Sequence, residues 1–487
     1  MDNHDGVGIP EQYLGAISDV IKQEGIQEFS VSVSPASSKG ENFFGMLYRL
    51  KVEGVKENGE ETDFNLILKI PFQSPIMRER FPLSEIYTRE VNVYNIILPE
   101  LCALQEEFDV PESERFHHVK CFRADSKLME ELLVLEDMVE KGFNLEDRRI
   151  SLDVKHLKLA LKSVASFHAL SFVMKKQNPK RFLELAAYTG GISDYDKDYM
   201  YFFELSRDRA IKAVEDPVHV EKLQDYGVDM HKKLDYYLSP DSVEPYSVIC
   251  HGDVWNNNLL FKIEETGRHL VHTNIFPNFL CAFSHSLILQ IFLNIIYIST
   301  TRLFLPLSFL GSKSVCISNS LAKYLFFKFS PNYVHFPRFN YLYEPVDVVL
   351  LDWQITRHCS PLTDVAYLFF SGTDYELRKN HFKELLDYYH GCLAKSLSYM
   401  GCDIEEHFPK SVFEEHQKKI LPYGLFMSFM LLPAVLGEVE DVPDMDALLA
   451  KEEILQSDLK FENKQASNRY QIRMRGVVQT CLDMDLI

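Results

Sequence analysis

The stretch VICHGDVWNNNLLFK places His251, Asp253 and Asn258 between two apolar runs, with the aspartate and the asparagine five positions apart. A loop of that length can hold a carboxylate beside a hydroxyl and, from the same turn, offer a side-chain amide to a divalent cation. Transfer of the γ-phosphoryl group of ATP needs such a pair, a base at the acceptor hydroxyl and a ligand for the Mg2+ that bridges the phosphates. In a second stretch, PVDVVLLDWQ, the apolar run Val348 to Leu351 ends at Asp352, a carboxylate at the mouth of a buried strand, where a further metal ligand is needed. Both tryptophans of the chain, Trp255 and Trp353, fall inside these stretches, which fits a shared packed centre. Taken singly, Asp253 reads sooner as a turn residue and Asp352 as a strand-end cap. The combination HxDxxxxN before a strand is what favours chemistry.

The elements that must position these residues can be read from periodicity. A helix is predicted from about Pro10 to Lys22, with Leu14, Ile17, Val20 and Ile21 on one face. FFGMLYRLKVE and TDFNLILKI, separated by the turn-forming KENGEE, read as an antiparallel strand pair. Helical spacing follows from about Leu83 to Leu98, and HHVKCFRA and ELLVLEDM read as two more strands. From Asp153 to Tyr237, and again from Tyr375 onward, the pattern is helical. The predicted architecture is α+β, a small β-rich N-terminal lobe over 1–140 and a larger helical lobe over 141–487, with the boundary near Met138 to Asn144.

The 487 residues carry 71 acidic against 51 basic side chains, a formal charge of −20, and 46% are apolar. That is enough apolar chain for two packed lobes and excludes a disordered polymer. The acidic excess repels nucleic acid and anionic lipid, so an anionic ligand must be held locally or by metal. Nine cysteines lie scattered without paired or zinc-like spacing, and MDNHDGVGIPEQYL has neither the basic end nor the apolar run of a secretory signal. The expectation is a reduced, cytoplasmic protein.

HGDVWNNNLLF and LLDWQ resemble the catalytic loop and metal-binding motif of the insect ecdysteroid-kinase-like family, also called CHK kinase-like, relatives of choline kinases and aminoglycoside phosphotransferases. The resemblance implies a two-lobed protein-kinase-like fold, ATP and Mg2+ as cofactors, and a small hydroxylated molecule as acceptor. It makes Asp253 the base, Asn258 and Asp352 the Mg2+ ligands, and His251 the residue that braces the loop. Lys69 in LILKIP resembles the lysine that contacts the α and β phosphates, and Glu90 in TREVNVY its ion-pair partner. A lone strand lysine is usually a solvated edge charge, but this one ends an apolar run and has an acid one helix later.

Gly40 and Gly45 in SSKGENFFGMLYRL resemble a phosphate-covering loop, although a glycine-turned hairpin would look the same. ELLVLEDMVEKGF resembles the hinge, where backbone groups from Leu135 through Glu136 to Met138 would bond adenine. Asp364 in SPLTDVAYL resembles the acid that bonds the backbone of the catalytic loop, with a helix cap as the competing reading. His168 in SVASFHALS reads as a core residue. The acceptor implied is an ecdysteroid or hydroxylated xenobiotic met by a monomer. A choline or ethanolamine kinase, and a nucleotide-binding pseudokinase or scaffold, stay open as alternatives.

Between Glu265 and Glu344 there are 78 positions without one acidic residue, a stretch rich in Phe, Leu and Ile that separates Asn258 from Asp352 by 94 positions. Strands carrying two such ligands ordinarily join through a short hairpin loop. The chain reads continuously if 268–343 is removed. The segment is therefore expected to be an anomalous insertion with three readings. It is an in-frame intron or gene-model error, a membrane element over the uncharged run His269 to Thr301, or a genuine surface insertion.

Overall fold

In the computed structural model the described residues are 8–36, 44–190, 197–274, 328–330, 333–441, 447–448, 451, 458 and 461–487. Gly40, the uncharged run 269–301 except its first residues, and most of 268–343 lie outside them. The chain divides into a unit formed by 1–262 and 345–487 and a second unit, 263–344.

The first unit begins with helix α1, Leu14–Gln23, followed by strands β1 (Ile26–Pro35), β2 (Gly45–Lys56) and β3 (Glu61–Pro71). Strands β4 (Cys121–Asp125) and β5 (Leu132–Glu136) complete an antiparallel sheet in the order β1-β2-β3-β5-β4. Because side chains alternate along a strand, Leu50 and Val52 of β2 and Leu66, Leu68 and Ile70 of β3 fall on one face. They form a buried core with Ile17, Val20 and Ile21 of α1. Lys69, between Leu68 and Ile70, therefore points to the opposite face, and it is held in the sheet interior by pairing to Leu47 on one side and Leu133 on the other.

Between β3 and β4 lie α2 (Pro75–Arg80), α3 (Leu83–Asn92) and α4 (Leu98–Glu107). A single helix was expected to end near Leu98; instead α3 passes through a π turn, Val93–Ile97, and continues as α4. Pro99 has no N–H for the carbonyl one turn back, and a local widening of the helix accommodates the missing bond. The Arg78 guanidinium grips buried Glu131 beside β5 through both nitrogens, at 3.1 and 3.0 Å, which ties α2 and the start of α3 to the sheet.

The larger lobe is helical, as expected. It comprises α5 (Val154–Gln177), α6 (Pro179–Ala187), α7 (Lys197–Ala213), α8 (Pro217–Gly227), α9 (Met230–Leu238), α10 (Leu362–Gly372), α11 (Tyr375–Tyr399), α12 (Ile404–His407), α13 (Lys410–Ile420), α14 (Tyr423–Leu436) and α15 (Lys464–Asp483). Helix α5, capped by Asp153 through the N–H groups of Lys155 and His156, packs along α11, and α10 packs on α14. Helix α5 is long and apolar enough to cross a membrane, but 78% of its most apolar window is buried within the lobe, which marks it as a core helix.

Six short or extended strands carry the loops of interest: β6 (Phe143–Leu145), β7 (Val248–Cys250), β8 (Leu259–Asn274), β9 (Lys328–Ser330), β10 (Tyr333–Leu350) and β11 (Arg357–Cys359). Their order is β6-β8-β10-β9, with β7 and β11 paired separately. In the second unit, residues 328–330 of β9 run antiparallel to 333–335 of β10.

Candidate functional site

Two loops are pinned at both ends by these ladders. Residues 251–258 leave β7 and enter β8, while 351–356 leave β10 and enter β11, the partner of β7. They meet directly, since the Leu351 N–H donates to Asn258 O at 2.9 Å and Leu351 O is bonded by His251 Nε2 at 2.9 Å. Gly252 makes this approach possible. Its φ of +88° is left-handed, and a Cβ there would lie 2.0 Å from Ile355 O. Asp352 also has a left-handed φ, 65°, which Asp and Asn tolerate better than most residues.

The first loop is anchored from below by Asp364, in the first turn of α10. It accepts the N–H of His251 at 2.7 Å and of Gly252 at 2.8 Å, and it pairs with His168 Nε2 at 3.1 Å. His168 Nδ1 is bonded to Tyr389, so both ring nitrogens are occupied. Burial opposes the Asp364 charge, but His168 and the loop N–H groups outweigh it and hold its carboxyl below the usual carboxylate range. Burial pushes His251 down, so its ring is neutral. The ring packs tilted against Trp353, centroids 4.3 Å apart, and the Trp353 ring also lies 4.9 Å from Phe167. Among the described ring contacts Trp353 is thus packed at the loop junction, while Trp255 serves Asp253.

Lys69 and Glu90 meet as an ion pair at 2.7 Å, with Lys69 Nζ also 3.0 Å from Asp352 Oδ1. Both members are buried, and the Trp353 N–H donates to Glu90 at 3.3 Å. Burial works against the ammonium, but Asp352 and Glu90 overcome it and raise the Lys69 pKa. Burial, and then the Asp352 charge, pushes Glu90 upward against the pull of Lys69. Helix α3 is itself fitted against the sheet, since a Cβ on Gly45 would lie 2.1 Å from the Tyr87 hydroxyl, one turn before Glu90. Gly45 is therefore a packing glycine, whereas Gly40 lies outside the described residues.

Asp253 and Asn258 face each other, Asn258 Nδ2 donating to Asp253 Oδ2 at 2.7 Å and to its carbonyl at 2.9 Å. Burial, then the Asp352 charge, pushes the Asp253 carboxyl up to about 7, while hydrogen bonds from Tyr367, Asn258 and Trp255 pull it back. Lys69, Glu90, His251, Asp253, Asn258 and Asp352 thus converge from four separate stretches of chain. The sequence marked Trp255 only as part of a shared packed centre and did not single out Tyr367. The signal for Tyr367 was its place three residues after Asp364 on one helix.

The predicted hinge lies in the sheet beside Lys69, and its geometry narrows the expectation. Leu135 sits inside the ladder, paired with Ile67 and Cys121, and the Glu136 N–H is committed to Lys120 O at 2.9 Å. The Glu136 carboxylate pairs with Lys141 at 2.8 Å. Asp137 closes the segment by accepting from Val139 N–H and pairing with Arg49, which turns the chain through Met138. The donors that remain for a ligand lie after Glu136.

Two carboxylates and an amide present an all-oxygen donor set of the kind that hard divalent cations take. Among the described residues, buried Asp352 Oδ1 has no hydrogen bond of good geometry beside its ion contact with Lys69. With Asn258 Nδ2 engaged by Asp253, its amide oxygen is the remaining ligand atom.

No protein of curated function matches the chain. The sequence profile of the ecdysteroid kinase-like family matches residues 39–303 and 338–402, well over half the chain and including every residue of the cluster above. The unmatched stretch 304–337 lies inside the acid-free segment. The chain belongs to the ecdysteroid kinase-like family, small-molecule kinases of the kinase-like superfamily.

Proposed function

We propose that this chain transfers the γ-phosphoryl group of ATP to a hydroxyl of a small lipophilic acceptor, an ecdysteroid or a hydroxylated xenobiotic. The observation that carries the reading is the convergence on Asp352, which sits 3.0 Å from Lys69 Nζ on one side and, after burial, is the main influence that raises the Asp253 carboxyl on the other. A donor-binding cation and an acceptor-binding base belong next to each other in such a transfer.

Asp352 and Asn258 are the residues that would hold Mg2+, which supplies neutralisation of the charge that develops on the phosphoryl oxygens. Lys69, kept charged by its two carboxylates, orients the donor phosphates, and Glu90 fixes Lys69. Asp253 takes the proton of the acceptor hydroxyl, and a carboxyl near 7 is a useful base at neutral pH. His251 and Asp364 keep the loop in register without touching the reacting atoms. The segment following Glu136 receives adenine.

The choice of a hydroxylated lipophile rests on the family. The acidic charge supports a partner that is neither nucleic acid nor membrane surface. Every cysteine among the described residues is a free thiol, which supports a cytoplasmic setting, and we take the working form as a monomer.

The test is purified protein with ATP and Mg2+ against ecdysone and a panel of steroid and non-steroid alcohols, with product read as the mass of the phosphate ester. Turnover that Asp253→Asn lowers by about a hundredfold or more supports the reading. ATP binding without transfer to any acceptor would sink it.

A further inference from the structure

Asp253 is held from more sides than its own loop provides. Asn258 bonds one carboxylate oxygen at 2.7 Å, and the Tyr367 hydroxyl and Trp255 indole also donate to the carboxylate. Tyr367 reaches it from α10, the helix whose first turn carries Asp364. Residues three apart on a helix share a face. The side of α10 that binds the N–H groups of His251 and Gly252 therefore also delivers Tyr367 one turn further on, so a single helix sets both the backbone of the loop and the orientation of its carboxylate. Tyr367 and Trp255 are each 3% exposed, and a phenol or indole buried to that degree needs a polar partner. An ionised carboxylate offers about four lone-pair positions. Among the described residues three are taken by Asn258, Tyr367 and Trp255, which leaves about one.

We propose that Tyr367 is a positioning residue of the transfer reaction, bonding Asp253 so that the carboxylate turns its one remaining lone pair to the acceptor hydroxyl. This rests on the reading of Asp253 as the base. It assigns to the neutral aromatic pair Tyr367 and Trp255 an orienting function that a charged partner would not serve as well, since a cation at that place would weaken the base.

The two tryptophans supply a probe that needs no acceptor. In protein labelled with 15N at the indoles, assigned with Trp255→Phe, the substitution Tyr367→Phe is expected to shift the Trp255 N–H resonance, because the carboxylate both groups bond is released, and to leave that of Trp353 in place. An unmoved Trp255 resonance in folded Tyr367→Phe overturns the proposal. Should that variant fail to fold, Asp253→Asn is expected to shift both the Trp255 indole and the Tyr367 ring resonances, and an unmoved Tyr367 overturns it equally. With ATP, Mg2+ and ecdysone, Tyr367→Phe is expected to lower kcat about tenfold with KM for ATP within about twofold, and to add nothing in an Asp253→Asn background. An equal loss in that background marks a structural residue and overturns the proposal. If the wild-type protein transfers nothing to ecdysone or to any alcohol of the panel, the functional reading falls, and the indole resonances still decide whether Tyr367 holds the Asp253 carboxylate.

Discussion

Asp352 stands 3.0 Å from Lys69 across the junction of the sheet lobe and the loop that ends β10. Glu90 lies on the other side of the same ammonium at 2.7 Å, so one buried cation separates two carboxylates. The Lys69 side chain is 8% exposed and that of Glu90 is fully buried, which places that pair where solvent screens it little, while Asp352 is partly exposed.

Removing the cation should therefore cost more than removing the whole pair. Lys69→Met leaves Glu90 and Asp352 facing each other, and a loss of about 3 kcal/mol in urea denaturation is expected. Adding Glu90→Leu should recover part of that loss while transfer stays abolished. A double variant no more stable than the single one would show that the repulsion is unimportant.

Gly252→Ala should damage fold and activity together. At φ +88° any side chain is strained, and this one would collide with Ile355 O. About 2 kcal/mol or more of stability should go, with the two loops no longer in register. A melting temperature matching the wild type would show that the loops can part without loss.

The cation-free protein should lose stability as pH rises from about 4 to about 7. Unfolded, the Asp253 carboxyl ionises near 3.9; folded, it ionises at about 7. Within that window the folded chain holds a proton the unfolded chain has released, so rising pH favours unfolding until both states are ionised. The part-exposed carboxylate limits the effect to on the order of 2 kcal/mol. The difference in denaturation free energy between wild type and Asp253→Asn, followed across pH, isolates it. Mg2+ with ATP should flatten the slope, and a flat difference curve without them would refute the assignment.

The acid-free stretch yields a prediction at two levels. Sequencing the mature transcript across Gly267 and Glu344 is expected to show the two joined, and protein lacking 268–343 is expected to fold with a melting temperature no lower than the full chain. Shortening a connection this long changes closure entropy by only on the order of 1 kcal/mol. Continuous coding in the transcript together with a shortened chain that cannot fold would establish the segment as integral protein.

Much of this arrangement was legible beforehand, for identifiable reasons. Lys69 and Glu90 were legible through the family resemblance, supported by a charge that ends an apolar run and an acid one helix later. Asp253 and Asn258 stood out because their five-residue spacing is itself the constraint of the loop. The π turn at Val93–Ile97 was not legible, since Pro99 permits an ordinary helix start as readily as a widened turn. Nor was the closure of the Glu136 N–H by Lys120, which depends on how β4 lies against β5. Tyr367 looked like a core aromatic because its place one turn after Asp364 does not say that the Asp253 carboxylate, from a loop more than a hundred residues earlier, arrives beside it, and the nearness of Trp255 to Asp253 in the chain did not say that the indole bonds it.

The left-handed backbone at Asp352 bears on how this protein's copies age. A duplicate released from its reaction would no longer need the carboxylate but would still need the turn, which Gly and Asn, besides Asp, adopt more easily than most residues. Drift at 352 would then stop at near look-alikes, and a retired copy would keep much of the outward spelling of a working one. Asn at 352 beside an intact HGD would be the mark of such a copy, easily passed over by a reader who scores resemblance and ignores charge.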